Sequence, residues 1–389
     1  MPTPLNHPFL NLARERVVIL DGAMGTSLHR YKPTDRDWGH APNGKSLMNL
    51  SDALVYTRPE WIAEIHRGFL AAGCDGIETN TFNASQVVLD EFGMGDKLDE
   101  INRLNIKIAK QVAAEFGTPD RPRFVVGSVG PGTKMPSLTD PAIYCDFDTL
   151  ADAYRPQIRV MIEERVDAIL IETCFDPLQA KCVAVMTIEE MKRAGVRLPL
   201  MVQLTIIDSR KKMLPGTEIP AALVALDPLD EIDVIGMNCG VGPDWMDDDI
   251  RHLCRHTSKM VSVLPNAGLP ETRGDETYFP MDPDTVAHWL GKFVTEYGVN
   301  IIGGCCGTTK EHLKAVCDRV HGKKPATRTP VYIPAVSSLQ TLQELVVDQK
   351  PLLVGERTNT NGSKKVKQLL EKDDWHGVVE MAKEQEREG

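Results

Sequence analysis

Positive charge is the first thing this chain is short of: 44 lysines and arginines face 55 aspartates and glutamates, for a formal net charge of −11. A surface that holds a nucleic-acid backbone needs a basic patch, so that class of partner is disfavoured. No apolar run approaches the roughly 20 residues of a membrane span, and the opening MPTPLNHPFLNLARERVVIL has neither a signal-peptide core nor a cleavage site. A cytoplasmic protein is expected. The nine cysteines are an odd set spread mostly over apolar segments, which excludes an ordinary disulfide framework. Cys74, Cys182, Cys254 and Cys317 fall within helix-like patterns, where a small buried thiol is the plain reading. None of the glycine-rich loops at Gly22–Gly25, Gly127–Gly132 and Gly240–Gly242 is followed by a Gly-Lys-Ser/Thr at phosphate-loop spacing. His66, His252, His256, His288 and His312 also lie in helical patterns; they are expected to be solvated or satisfied locally, and none is placed as a catalytic base.

What is present alternates. Short β-branched runs at 17–22, 75–80, 124–129, 167–173, 200–206, 234–239, 260–266 and 300–304 predict strands. Amphipathic stretches at 59–72, 98–116, 150–165, 178–194, 282–297 and 310–321 predict helices between them, with a shorter one at 219–229. Eight strands in strict alternation with helices predict an α/β fold with a parallel sheet, and closure at eight makes a (β/α)8 TIM barrel. A doubly wound open sheet is the alternative. The position of the unusual residues favours the barrel, because Asp21, Glu78, Asn80, Glu172, Thr173, Asn238, Cys239, Asn266, Cys305 and Cys306 all fall at strand ends. In a barrel those ends share the face where active sites sit.

Two of the cysteines are adjacent, in Gly303-Gly304-Cys305-Cys306-Gly307-Thr308, and a third ends another strand in Asn238-Cys239-Gly240. Neighbouring side chains within a strand point to opposite faces. They converge only where the strand breaks into a turn, and the flanking glycines permit that break. Three thiolates at loop positions suggest a catalytic zinc site, with three protein ligands and one open place. Such a metal is a weak Lewis acid, better suited to presenting a substrate thiolate as a nucleophile. A vicinal disulfide at Cys305–Cys306 and three unrelated buried thiols are the plainer alternatives. Asp21 and Glu172 would sit on the same rim, where unpaired buried charge is costly. A salt bridge or loop hydrogen bonds would account for either alone; together, beside a thiophilic metal, they point to a small zwitterion bearing a thiol. Gly22 and Ala23 belong to a tight glycine-containing turn whose amides could meet a carboxylate. Asn266, ending the seventh strand, could lend its amide oxygen to the open zinc position or simply cap its loop.

Leu20-Asp21-Gly22-Ala23-Met24-Gly25-Thr26, Glu78-Thr79-Asn80-Thr81-Phe82, Gly127-Ser128-Val129-Gly130-Pro131, Glu172-Thr173, Gly236-Met237-Asn238-Cys239-Gly240, Pro265-Asn266-Ala267-Gly268 and the Cys305–Cys306 turn together resemble the homocysteine S-methyltransferase domain. The likeness covers residues 10–325. It implies a (β/α)8 barrel in which Cys239, Cys305 and Cys306 bind zinc and the zinc activates homocysteine. Asp21 and Glu172 resemble the acidic residues near the homocysteine amino group. The resemblance also implies a substrate pocket taking in Gly22, Ala23, Thr173, Asn238 and Asn266.

Beyond His321 the texture changes. Residues 326–350 read as a linker rich in proline, threonine and serine, with a short helix near 339–346. Residues 351–359 suggest a new strand, and a helix is expected over 363–388. One strand and one helix cannot bury a core, so a fragment of a longer protein is expected, the alternative being a tail that packs on the barrel. Gly355-Glu356-Arg357-Thr358-Asn359-Thr360-Asn361-Gly362 resembles the opening of the pterin-binding domain of cobalamin-dependent methionine synthases. That implies methylcobalamin as the methyl donor, recharged from 5-methyltetrahydrofolate by folate-binding and cobalamin-binding modules of the same parent. The Asp-x-His-x-x-Gly of a cobalamin module is missing from this chain. The alternatives are a free-standing enzyme using betaine, S-methylmethionine or S-adenosylmethionine, and, outside catalysis, a zinc-stabilised binding scaffold.

Overall fold

The computed structural model describes residues 5–207, 210–274, 276–346, 355 and 357–388. Eight short strands form one parallel sheet: β1 (Val18–Ile19), β2 (Gly76–Glu78), β3 (Phe124–Val129), β4 (Ala168–Cys174), β5 (Leu200–Leu204), β6 (Val234–Asn238), β7 (Met260–Leu264) and β8 (Ile301–Ile302). Their order around the sheet is β1-β8-β7-β6-β5-β4-β3-β2. Among the described residues only the seam between β1 and β2 lacks regular pairing. There the Asp75 N–H donates to the Ile19 carbonyl at 2.6 Å, and the Asp75 carboxylate accepts the Ile19 N–H at 3.0 Å. The sheet is thus a nearly closed (β/α)8 barrel.

Strand residues divide by parity into two cores, as side-chain alternation demands. Val18, Leu20, Phe124, Val126, Ala168, Leu170, Met201, Val234 and Ile301 fill the barrel interior. Their neighbours Ile19, Val125, Ile169, Ile171, Val202, Ile235 and Val263 face the surrounding helices in a separate, larger core. A helix the sequence reading missed, Pro8–Glu15, closes the lower mouth. His7 caps it, and its Phe9, Leu10 and Ala13 complete the interior cluster. Phe9 meets Phe124 edge-on, with ring centroids 5.3 Å apart. Higher up, polar groups take over the interior positions, as where Gln203 donates to the Ser262 hydroxyl at 2.9 Å.

The outer helices include Pro59–Ala72, Leu98–Phe116, Phe147–Glu163, Pro177–Ala194, Ile219–Leu226, Pro243–His256, Pro283–Lys292 and Lys310–Val320. Their boundaries follow local chemistry. In Pro177–Ala194, the Asp176 carboxylate accepts the Leu178 N–H, proline occupies the first turn, and Gly195 ends the helix at φ 64°. Among the described residues no helix is long and apolar enough to cross a membrane.

Between β1 and Pro59 the chain inserts four short helical pieces, Met24–His29, Asp35–Trp38, Ser51–Ala53 and Leu54–Thr57, over the upper mouth. Side-chain amides fasten this insertion: Asn80 donates to the Ser51 carbonyl at 2.8 Å and Asn105 to the Asp52 carbonyl at 3.0 Å. The buried Asp52 carboxylate in turn accepts the Asn83 N–H at 2.8 Å.

Chain contacts divide the molecule into two compact units, Met1–Leu342 and Gln343–Gly389. In the first, the proline-rich segment after the barrel is fixed to it, with the Val331 N–H donating to Arg255 and the Glu218 N–H to Gln340. The helix expected near 339–346 is absent. Leu342–Glu344 instead pairs with Ala335–Ser337 in a small two-stranded sheet. In the second unit the expected long helix is two, Lys364–Leu370 and Trp375–Glu388, broken where Asp373 takes φ 55°. The strand expected over 351–359 falls largely outside the described residues.

Candidate active site

Two strands end abruptly at the upper rim. Cys239, immediately after β6, has φ 55°, and Thr173 near the end of β4 has φ 57°. Neither is glycine, so both positions hold backbone strain of the kind found at functional sites. Main-chain bonds hold the cysteine turns in place. The Cys239 N–H donates to Leu264, the Cys305 N–H to Pro265 and the Ala267 N–H to the Cys306 carbonyl, at 3.0, 2.8 and 3.0 Å. The Thr308 hydroxyl donates to the Cys305 carbonyl at 2.6 Å.

These turns bring Cys239, Cys305 and Cys306 together, with all three sulfurs within 4.8 Å of one another. The Cys239 and Cys306 sulfurs are 4.0 Å apart. Tetrahedral zinc with Zn–S bonds of about 2.3 Å sets its sulfurs about 3.8 Å from each other, so the trio could hold such an ion. The Asn266 side-chain oxygen is buried and has no hydrogen-bond partner. Asn266 lies just past β7, whose neighbours β6 and β8 lead into the two cysteine turns. All nine cysteines are free thiols.

The trio closes one side of a cavity of about 270 Å³. Asp21, Gly22, Ala23, Glu78, Asn80, Ser128, Glu172 and Thr173 line it from the strand ends, and Met24, His29, Trp38, Asn49 and Ser51 line it from the insertion. No lysine or arginine is among the described residues lining it. Three carboxyl groups therefore face one small space without a cation. Burial pushes Glu172 up to about 7, against the Ser128 and Thr173 hydroxyls, which pull it down. Burial also raises Asp21 and Glu78 well above the usual carboxylate range, reinforced by Glu172 beside each. One Glu78 oxygen is buried with no partner.

Glu172 is held on all sides: Ser128 donates to one oxygen at 2.5 Å, and Asn238 donates to the other at 3.0 Å. Asn238 does not line the cavity. It is fully buried behind Glu172, donates also to the Thr173 hydroxyl, and accepts the strained Thr173 N–H at 2.8 Å. Asn266 also lies outside the lining. The Ala23 N–H is already engaged, donating to the Thr308 hydroxyl at 3.3 Å.

The histidines need correction at one position. His66 is neither solvated nor satisfied: it is 0% exposed and neither ring nitrogen has a hydrogen-bond partner among the described residues. Its Nδ1 lies 3.9 Å from Asp21 Oδ2, and burial pushes its pKa down to about 3. Sequence periodicity placed it on a helix, and only the helix face could have revealed its burial: Ile62, Ile65, His66, Phe69 and Leu70 form one buried stripe.

Three thiols, the buried carboxyls of Asp21 and Glu172 and the half-buried Glu78 thus meet at the strand ends of a TIM barrel. Residues 18–320 match the model of the homocysteine S-methyltransferase family, and the chain belongs to that family. It is 39% identical over 380 residues to methionine synthase of Mycobacterium tuberculosis (strain ATCC 25618 / H37Rv), covering 98% of this chain and 31% of that protein. Methionine synthase of Mycobacterium leprae (strain TN) is 38% identical over 385 residues, with the same coverage. The chain thus spans less than a third of the length of these curated relatives. Among solved structures, the oxidized form of the homocysteine methyltransferase MmuM from Escherichia coli is similar in fold. Its TM-score is 0.65 at 20% identity, covering 81% of this chain and all of that one.

Proposed function

We propose that this chain binds homocysteine and carries the methylation of its thiol to methionine, as the homocysteine-binding part of a cobalamin-dependent methionine synthase. The observation that carries this reading is the convergence of three cysteine sulfurs within 4.8 Å beside a cavity lined by the buried carboxyls of Asp21 and Glu172 and by half-buried Glu78. Cys239, Cys305 and Cys306 would hold zinc, with Asn266 available for the remaining place when no substrate sulfur is present. Bound there, zinc supplies the positive charge that keeps a substrate thiol ionised at neutral pH.

The chain's own residues do the rest. Asp21, Glu78 and Glu172 offer negative charge to the substrate ammonium, which supplies the cation that the cavity lining lacks. Ser128, Thr173 and Asn238 fix the Glu172 carboxylate so that it need not reorganise when the ligand arrives. The turn at Gly22 and Ala23 borders the space left for the substrate carboxylate. Trp38 and Met24 from the insertion screen the reacting sulfur from bulk water.

The tail resemblance and the length of the relatives support methylcobalamin as donor, recharged from 5-methyltetrahydrofolate by other modules of a parent protein. On this reading 10–325 is the homocysteine barrel, 326–350 a connection and 351–389 the start of a pterin-binding domain. The test is Cys239→Ser and Cys305→Ala, measured for zinc content by atomic absorption and for homocysteine-dependent turnover with methylcobalamin. Both quantities should be lost together. Full zinc content with undiminished turnover in either variant would overturn the assignment.

A further inference from the structure

Buried polar atoms are almost always hydrogen-bonded, and an exception needs a reason. His66 is such an exception twice over, since both of its nitrogens are buried and unpartnered. The ring is not isolated among hydrocarbon, because its Nδ1 faces Asp21 Oδ2 at 3.9 Å. That is about 1 Å too long for a hydrogen bond. Asp21 Oδ1 is already fixed by the Glu78 N–H at 3.0 Å, which leaves Oδ2 as the adjustable oxygen. Asp21 lines the cavity; His66 lies behind it on Pro59–Ala72 and does not.

We propose that His66 is a positioning residue for Asp21: its Nδ1–H closes onto Oδ2 when a cationic ligand group in the cavity holds Asp21 as a carboxylate. Recognition of the ammonium group then depends on an imidazole that never touches it. A lysine or arginine at position 66 would neutralise Asp21 in the empty site and compete with the ligand. A neutral N–H donor stabilises the carboxylate and leaves its charge for the ligand. The unmade bond in the empty cavity is completed by binding, so the orphaned donor is satisfied in the liganded state. This inference rests on the homocysteine reading above.

The experiment measures binding to the zinc-loaded chain by calorimetry for two ligands: L-homocysteine and 4-mercaptobutanoate, which has the same thiol and carboxylate but no amine. His66→Phe removes the donor. His66→Asn keeps an N–H near the Nδ1 position, whereas His66→Gln moves it to the Nε2 position. His66→Phe and His66→Gln are expected to weaken homocysteine about tenfold or more, leaving 4-mercaptobutanoate within about twofold, and His66→Asn should restore most of the loss. Thermal unfolding and zinc content identify any variant that has not folded, and His66→Gln against His66→Asn then carries the comparison alone. Equal weakening of both ligands would make His66 merely structural, and unchanged homocysteine affinity would likewise overturn the proposal. If the unaltered zinc-loaded chain binds no homocysteine, the reading beneath it fails and takes this inference with it.

Discussion

Replacing Asn238 by alanine tests how the carboxylate wall is built. Its side chain makes four bonds within a fully buried site: to Glu172 at 3.0 Å, to the Thr173 hydroxyl at 2.8 Å, from the Thr173 N–H at 2.8 Å and, longer, from the Thr205 hydroxyl at 3.4 Å. A neutral buried bond contributes about 1 kcal/mol net and one to a carboxylate about 1.5–3 kcal/mol. Alanine also removes the acceptor of the buried Thr173 N–H, which sits in a left-handed conformation. Together these give an expected loss of about 3–5 kcal/mol in unfolding free energy. That is a large share of the 5–15 kcal/mol typical of a folded domain, yet short of abolishing folding. Urea titration followed by circular dichroism measures it. Zinc stoichiometry should stay unchanged, because Cys239 is held by its own backbone bond to Leu264. Homocysteine affinity should fall, since Glu172 loses the donor that fixes one of its oxygens. A stability loss below about 1 kcal/mol, or an intact affinity for homocysteine, would refute the view that Asn238 supports Glu172.

Two further predictions concern the frame around the site. Burial pushes the folded-state pKa of Asp52 from 3.8 up to about 6, so the folded chain holds this proton more tightly than the unfolded one. Its contribution to stability is therefore greatest below pH 4 and falls as pH rises through 6. Asp52→Asn removes that dependence, and relative to wild type it should gain about 2 kcal/mol between pH 4 and pH 7 in urea titrations; a difference that does not change with pH would refute this. Phe9→Ala opens the lower barrel plug at a residue with no exposed surface. It should cost about 3–5 kcal/mol, read by the same titration, and a loss below about 1 kcal/mol would show that Pro8–Glu15 does not close the barrel.

The alternation of short apolar runs with amphipathic stretches was enough to read the barrel, because strand parity and helix period are local properties. The strand expected over 124–129 is β3 without change, whereas the one expected over 300–304 shrinks to Ile301–Ile302. There Gly303 and Gly304 leave the ladder to make the cysteine turn. Cysteines 305 and 306 were legible because adjacency between glycines is rare chemistry. The burial of His66 was not, since it depends on which face of Pro59–Ala72 meets β1. The helix Pro8–Glu15 spans barely two turns, and the barrel interior it fills has no counterpart in its own sequence.

That plug gives the molecule a direction. With Phe9, Leu10 and Ala13 filling the lower end of the barrel, the cavity lies at the strand ends beneath the insertion. On the proposed function, the methyl donor and homocysteine would both reach the cysteines from that end. The thiol substrate is then expected to be seated first and the product to leave after the donor withdraws. Steady-state kinetics would show such a queue as compulsory order without any conformational signal.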